Sequence, residues 1–537
     1  MNEVVLRIVA ALLSACFFCL STLKMLGAMQ QSGYKNDGFL GWLGRKDNQL
    51  FNRLGFLAAA LAFTPAIVSL CFSFLGERGA LLVSAFPFFL MLVLYAVADG
   101  KYALKVPVKK TGRFWRLFAV YFLFTAGFGY LFIALLKFLA VWNGSQLYAL
   151  IAYVPFAIYP TLLPLILCLA NAITGIFENA NNEKFVKRAG QVLDETKILR
   201  IGIVGSYGKT SLKNILNTIL SEKFAVVATP ASYNTPLGIA KTVTDESFQG
   251  KEIFVAEMGA RKAGDISQLC QLVKPDYALF SGVCEQHVKT FCSLENVWAE
   301  KSEILRYGVK KAVCGESLKE RILAEFGGAE NAERIILADS SFVQDVQFFA
   351  THTSFTMTLG GEKIAVDTKL LGEAAVENIL LAALLCKELG MTAEEIGKGV
   401  AKLQPVEHRL QLIESGGAYI LDDAYNGNPL GAKRALAALA RFDGRKCVIT
   451  PGLVECGVLE EKINGELGEE IARYSFDKVM LVGDTLVGAV KNGYENAGGD
   501  KEKLAVYKTL DDAQAALVEW IRAGDAVVYL NDLPDIY

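Results

Sequence analysis

The residues best suited to chemistry lie in Gly202-Ile-Val-Gly205-Ser-Tyr-Gly208-Lys209-Thr210. Glycines at such a turn let backbone N–H groups face phosphate oxygens, and a helix N-terminus behind them adds a favourable dipole. Lys209 would reach the β- and γ-phosphates of a nucleotide, and the Thr210 hydroxyl a Mg²⁺ ion. The strict G-x-x-x-x-G-K-T spacing is off by one, because Ile203 stands where the first glycine belongs. A plain glycine turn with a surface lysine is the competing reading. Context argues against it: an apolar strand pattern, Ile198–Val204, runs in and a helical one, Lys209–Ser221, runs out. Glu257 ends the apolar run IFVAEMG, and His287 follows the next such run in GVCEQHVKTFCS. Ligands of open α/β sheets collect at the carboxyl ends of strands. A carboxylate and an imidazole there could share a metal with the phosphates, Mg²⁺ preferring oxygen ligands and retaining waters. His352 has no such context and reads as a surface residue.

The elements that must hold these groups alternate in type. Strand patterns at Ile253–Ala256, Tyr277–Val283 and Lys311–Val313 are interleaved with helical ones, including Leu294–Tyr307 and Gly372–Leu389. Residues 344–370 alternate apolar and polar around Gly360-Gly361, as an antiparallel hairpin insert does. A second βα series runs from strand Ala418–Leu421 to strand Ala526–Leu530. Repeated βα alternation means parallel sheets, and the break between the two series falls at Leu403–Arg409, around Pro405. The polar stretch 178–196 reads as a helical linker.

Composition adds a different half. Only 20% of residues are charged and 53% are hydrophobic, with a mean hydropathy of +0.34. Soluble domains carry about 25% charge, and the deficit lies in residues 1–176. Five stretches there, approximately 4–26, 54–75, 79–98, 117–139 and 147–173, are long enough to cross about 30 Å of hydrocarbon. Basic residues concentrate in the loops 27–53 and 99–116, which places those loops and everything after about residue 174 in the cytoplasm, and the N-terminus outside. Arg7, Lys24 and Lys137 lie near span ends and can snorkel, so an anchor or lipid-substrate platform is favoured over a transport path. Eleven scattered cysteines, with Cys16 and Cys19 inside an apolar run, suit a reducing compartment. The 54 basic and 56 acidic residues nearly cancel, which argues against a nucleic-acid partner. The expected architecture is thus a five-helix α-helical membrane domain (1–176), a linker (177–197) and two α/β domains. The first is a P-loop-type central domain (198–404) and the second a Rossmann-like C-terminal domain (405–537).

The motifs occur in a telling order: Gly205-Ser-Tyr-Gly-Lys-Thr-Ser211, Ser232-Tyr-Asn234-Thr-Pro, Glu257-Met-Gly, His287, Ala299-Glu-Lys301-Ser-Glu, His408-Arg409-Leu and Leu421-Asp-Asp423-Ala-Tyr-Asn426. As an ordered set over about 198–500 they resemble the Mur ligase family, the ATP-dependent amide ligases of peptidoglycan precursor synthesis. The branch that adds D-alanyl-D-alanine is the nearest. The resemblance implies a site for ATP and two Mg²⁺ ions. In it Gly205, Ser206, Gly208, Lys209, Thr210 and Ser211 form the phosphate loop, and Asn378, Arg409 and Asp423 contact the nucleotide. Asn234, Tyr425 and Asn426 match positions near substrate. Lys209, Glu257, His287 and Lys301 match catalytic positions; Thr210, Glu257, His287 and Lys301 match metal positions, Lys301 as a carbamylated lysine whose added carboxylate ligates the metal. A carboxylate would attack the γ-phosphate of ATP, and an amine would then displace phosphate from the acyl phosphate.

Four features depart from the family pattern. Membrane spans stand where a domain gripping a UDP-sugar is usual. Ala374-Ala375 replaces a His-Asn pair, Cys292 replaces a glycine, and the stretch after Asp525 lacks a Lys-Gly-Ser-Arg loop. The expected partners are a nucleotide- or lipid-linked cell-wall precursor, an amino acid or dipeptide, and membrane lipid; the sequence leaves the oligomeric state open. Two alternatives stay open beside this reading. One is a membrane-associated ligase like the poly-γ-glutamate synthetases; the other is a nucleotide-dependent scaffold or transport component with a decayed ligase site.

Overall fold

A computed structural model describes residues 3–44, 108–143, 148–284, 291, 293–328, 333–425, 427–454 and 456–531. The chain divides into two compact units, the first over Met1–Asn182 and the second over Glu183–Leu533.

The first unit is helical: Glu3–Ser21, Leu23–Gln31, Asn36–Leu43, Gly112–Asn143, and the start of Tyr148–Glu195. Among the described residues, Gly112–Phe132 and Leu162–Glu195 are long and apolar enough to cross a membrane. The span expected at 4–26 is bent in the structure. It breaks at Thr22, and Arg7–Leu20 and Leu23–Gln31 meet at 52°, a third span only if the bent pair counts as one. The Thr22 hydroxyl donates to the Phe18 carbonyl at 2.6 Å and pairs with the Tyr121 hydroxyl at 3.0 Å, the kind of side-chain bond that bends a helix. Of the five expected spans, 54–75 and 79–98 lie outside the described residues. The polar stretch expected as a separate linker helix continues the last apolar one without a break.

The second unit holds two six-stranded sheets and a small insert. The first sheet comprises β1 (Leu199–Val204), β2 (Val226–Ala228), β3 (Ile253–Glu257), β4 (Tyr277–Phe280), β5 (Lys311–Gly315) and β6 (Ile335–Ala338). They run parallel in the order β2-β3-β1-β4-β5-β6. Strand periodicity sorts its two faces. Ile201, Ile203, Val255, Leu279 and Val313 pack with the helices Lys209–Leu220 and Gly372–Glu388. Val204, Phe254, Ala256, Phe280 and Ala312 pack with the helix Asp265–Val273 and with Ala189 and Leu193. The sheet therefore has helices on both faces, and its strand order reverses at β1.

The insert is one strand larger than expected: β7 (Val343–Phe348), β8 (Thr353–Leu359) and β9 (Glu362–Thr368) form an antiparallel meander, with the expected turn at Gly360-Gly361. The helix expected over Leu294–Tyr307 is two, Leu294–Lys301 and Glu303–Arg306, parted at Ser302, whose hydroxyl bonds back to the Ala299 carbonyl at 3.2 Å. The second sheet comprises β10 (Gln411–Ser415), β11 (Ala418–Asp423), β12 (Lys446–Thr450), β13 (Lys478–Val482), β14 (Leu504–Tyr507) and β15 (Ala526–Leu530). Its order is β10-β11-β15-β12-β13-β14, with only the β10–β11 pair antiparallel.

Candidate functional site

The site grows from the carboxyl ends of β1, β3 and β4. After Val204 the backbone turns through Gly205, φ +151°, and Gly208, φ +72°, before entering the helix Lys209–Leu220. Gly205 has no room for a side chain, and one at Gly208 would have to push the Asn378 amide aside. A Cβ on Gly205 would lie 2.0 Å from Ser281 Oγ, and one on Gly208 3.0 Å from Asn378 Oδ1. The turn is pinned by Ser206 N–H donating to the Gly282 carbonyl at 2.8 Å and by Ser281 Oγ donating to the Tyr207 carbonyl at 2.5 Å. Among the described residues the buried Ser206 hydroxyl has no hydrogen-bond partner. A glycine cradle closed to a Cβ at Gly205, holding a buried hydroxyl with no partner among the described residues at a helix N-terminus, has the form of an anion-binding loop.

Lys209 Nζ donates to the Gly205 carbonyl at 2.9 Å, folding across the mouth of that loop. Ser211 lies in the first turn of the helix behind it. Beside the loop, Glu257 is 1% exposed and collects several partners. The Thr210 hydroxyl donates to Oε2 at 3.0 Å and Lys213 Nζ to the same oxygen at 3.2 Å. Asn234 Nδ2 donates to Oε1 at 2.9 Å, and the Glu257 N–H donates to Thr229 Oγ1 at 3.1 Å. Lys213 also donates to the Ala231 carbonyl, so one ammonium ties the Ser232–Asn234 segment to the end of β3. Thr210 and Glu257 offer hard oxygen donors a hydrogen bond apart, a set suited to Mg²⁺ once phosphate oxygens and waters complete it. Among the described residues no group of three His, Cys, Asp or Glu side chains forms a metal cluster, and His287 and Asn426 lie outside those residues.

Lys301 closes the floor. It is 1% exposed, and among the described residues its side chain makes neither a hydrogen bond nor an ion pair. Burial, with Lys209 adding to it, pulls its ammonium down to about 7. Burial also lowers Lys209, Lys213 and Arg409, each opposed by Glu257. Arg409 comes from the strap between the two sheets, flanked by His408 and Leu410 at φ +59° and +48°. Non-glycine residues rarely adopt that region. Asp423 Oδ1 holds the strap by accepting the Leu410 N–H at 3.0 Å, and Arg409 lies over the Tyr425 ring at 4.6 Å. Burial pushes the Asp423 carboxyl up to about 6 against the pull of Arg409.

The structure thus gathers Gly205, Ser206, Gly208, Lys209, Thr210, Asn234, Glu257, Lys301, Asn378, Arg409 and Asp423 around one cleft, with Tyr425 at its exposed edge. Sequence reasoning passed over Lys213, Thr229 and Ser281. Lys213 carries a legible signal, since four residues after Lys209 puts it on the same helix face. Ser281 immediately follows β4, at the strand edge where ligands collect.

The two sheets correspond to two domains of a known family. Residues 203–386 match the Mur ligase middle domain, and residues 408–530 match the Mur ligase glutamate ligase domain. The chain is 26% identical over 333 residues to the UDP-N-acetylmuramoyl-tripeptide--D-alanyl-D-alanine ligase of Bacillus subtilis, covering 61% of this chain and 72% of that one. The Escherichia coli enzyme of the same name is 26% identical over 308 residues, 56% of this chain and 68% of that one. Among solved structures, MurF ligase from Thermotoga maritima in complex with ADP superposes with a TM-score of 0.58 at 23% identity, covering 66% of this chain and 81% of that one. MurF from Acinetobacter baumannii gives 0.59 at 21% identity, covering 66% and 78%. At these identities the structural likeness is one of fold.

Proposed function

Because the chain belongs to the Mur ligase family of ATP-dependent carbon–nitrogen ligases, we propose that it is a membrane-anchored ligase joining an amino acid or dipeptide to a cell-wall precursor, in the manner of MurF. One observation carries this reading. Four basic groups, Lys209, Lys213, Lys301 and Arg409, converge on a cleft whose carboxylates are Glu257 and Asp423, and burial holds all four below their ordinary values. Such a cleft is short of negative charge, and a triphosphate and a carboxylate substrate would supply it.

The residues divide the work. The N–H groups of the 205–210 loop and the Ser206 hydroxyl would bind phosphate oxygens. Lys209 would neutralise the transferring phosphoryl group as the substrate carboxylate oxygen bonds to the γ-phosphorus and the bridging oxygen leaves with ADP. The amine then bonds to the acyl carbon and gives up a proton, and phosphate departs with the electron pair of the broken acyl–oxygen bond. Arg409 and Asp423 would hold the nucleotide from the opposite side, and Asn234 and Tyr425 would face substrate. Thr210 and Glu257 would hold Mg²⁺, with His287 and a carbamylated Lys301 completing two sites. Bound there, Mg²⁺ supplies charge neutralisation at the phosphoryl oxygens. A neutral amine is the form that adds to carbon dioxide, so a buried lysine drawn toward neutrality supports that modification. The ligase unit is taken to lie in the cytoplasm.

Phosphate release by the purified full-length protein tests the reading. It is measured with ATP, UDP-N-acetylmuramoyl-tripeptide and D-alanyl-D-alanine together, and then with each acceptor or donor withheld. Release that requires both, with a pentapeptide product by mass spectrometry, is the expected result. ATP binding without release under any combination would sink the soluble-precursor version and leave a lipid-linked acceptor to be tried in its place.

A further inference from the structure

The helix Pro429–Leu439 begins directly after the Asp422–Tyr425 segment, capped by Asn428 Oδ1, which accepts the Gly431 N–H at 2.9 Å. In its second turn stands Arg434, a residue that none of the roles above uses. Its side chain is 13% exposed and meets residues of the part of the chain that carries the first sheet. Nη2 bonds Glu377 Oε1 at 2.5 Å, and Nε lies 3.8 Å from Glu373 Oε2 with no hydrogen-bond partner among the described residues. Both carboxylates sit in the opening turns of the helix Gly372–Glu388, next to Asn378. The guanidinium carbon also lies 5.6 Å from the ring centroid of Tyr207, the residue between the two phosphate-loop glycines. Tyr207 is wedged in turn: its hydroxyl is 3.2 Å from Ser317 Oγ, and a Cβ on Gly282 would come within 2.1 Å of that hydroxyl. A second cation repeats the gesture, since Arg441 lies over the Phe348 ring of the insert at 4.8 Å.

Arg434 therefore touches three things at once: the phosphate loop through Tyr207, the helix bearing Asn378 through Glu373 and Glu377, and the helix that follows Asp423. We infer that Arg434 is a positioning residue for the nucleotide, a clasp that sets how closely Arg409 and Asp423 confront the phosphate loop. The inference rests on the reading of that loop as an ATP site. Its physics is that of a mostly buried guanidinium held in fixed geometry between two half-exposed carboxylates and a ring, and so more constrained than two freely mobile surface charges would be. A planar guanidinium can serve two carboxylates and a ring face together, and a lysine ammonium can serve them only in part.

The test is calorimetric binding of ADP to the full-length protein in detergent, alongside thermal denaturation of each variant. For Arg434→Met, ADP affinity is expected to fall about tenfold while the melting temperature stays close to that of the wild type. Arg434→Lys should recover part of the loss, and the exchanged pair Arg434→Glu with Glu377→Arg more than Arg434→Glu alone. High salt should weaken ADP binding by the wild type more than by Arg434→Met. Equal ADP affinity of Arg434→Met and wild type would overturn the inference. So would a loss that only tracks a lowered melting temperature, because the residue would then be merely structural. A wild-type protein that binds no ADP would overturn the ATP-site reading together with the clasp.

Discussion

At the scale of single residues, the ion pair between Lys213 and Glu257 is the most constrained charge interaction in the cleft. Both side chains are 2% exposed and 3.2 Å apart. Removing one partner of such a pair leaves a buried charge uncompensated, whereas replacing both with neutral groups of like shape costs far less. Lys213→Met is expected to destabilise the protein by about 3 kcal/mol, and Lys213→Met with Glu257→Gln by clearly less. Thermal denaturation of the two variants decides the matter, and equal losses would mean that the pair contributes nothing specific. Asp423 gives a pH signature. Its folded-state value of about 6 lies above that of an ordinary carboxylate, so the folded protein binds this proton more tightly than the unfolded chain. Its contribution to stability is therefore largest in acid and fades as pH rises through about 6. Function runs the other way, because only the ionised carboxylate pairs with Arg409. ADP affinity should weaken below about pH 6, and Asp423→Asn should flatten that limb. Titrating ADP affinity in both proteins checks this. Much of the cleft was legible in the sequence because Lys209, Thr210 and Glu257 fall next to strand ends. Lys301 and Arg409 were found through ordered motifs instead, since nothing local distinguishes a helix lysine that is buried from one that is solvated.

At the scale of elements, the phosphate loop is a turn whose shape is set by what it cannot contain. Gly205 combines φ +151° with a Cβ position 2.0 Å from Ser281 Oγ, so an alanine there meets both a steric and a conformational penalty. Gly205→Ala should cost roughly 1–3 kcal/mol of stability and abolish ADP binding. Adding Ser281→Gly removes the clash but not the backbone penalty, and should restore only part of the stability. Full restoration would show that the conformation itself costs nothing. Alternation of strands and helices made these elements readable, because burial on one face writes a period into the sequence. What escaped is set by bonds that the period does not record. Thr22 bends the first apolar segment through a hydroxyl bond that polarity alone does not reveal. Ser302 divides a segment whose apolar spacing reads as one helix. The insert's first strand, β7, is mostly exposed and carries little alternation to mark it. Strand order was not readable either: β15, the last described strand, lies between β11 and β12, where only non-local pairing puts it.

At the scale of the whole molecule, contacts within the first unit tie the basic loop that sets orientation to the polar end of the last apolar helix. Gln30 and Lys109 exchange two hydrogen bonds, Nε2 to the Lys109 carbonyl at 2.7 Å and the Lys109 N–H to Oε1 at 2.9 Å. That exchange fixes the basic segment Lys109–Arg116 at the start of the helix Gly112–Asn143. Arg116 Nε then bonds Glu178 Oε1 at 2.6 Å, and Glu178 lies four residues before the unit ends at Asn182. The basic end of one apolar helix and the polar exit of the other are therefore on the same side of this unit. Basic segments flanking apolar spans stay in the cytoplasm, so the chain beyond Asn182 should emerge there too, where ATP is present. In intact spheroplasts an added protease should leave the ligase unit uncut, and it should degrade that unit once the membrane is permeabilised. An epitope fused at the N-terminus should be removed in the intact cells. Cleavage of the ligase unit in intact spheroplasts would reverse the orientation. It would also separate the cleft from cytoplasmic ATP, and the ligase reading could not survive that separation.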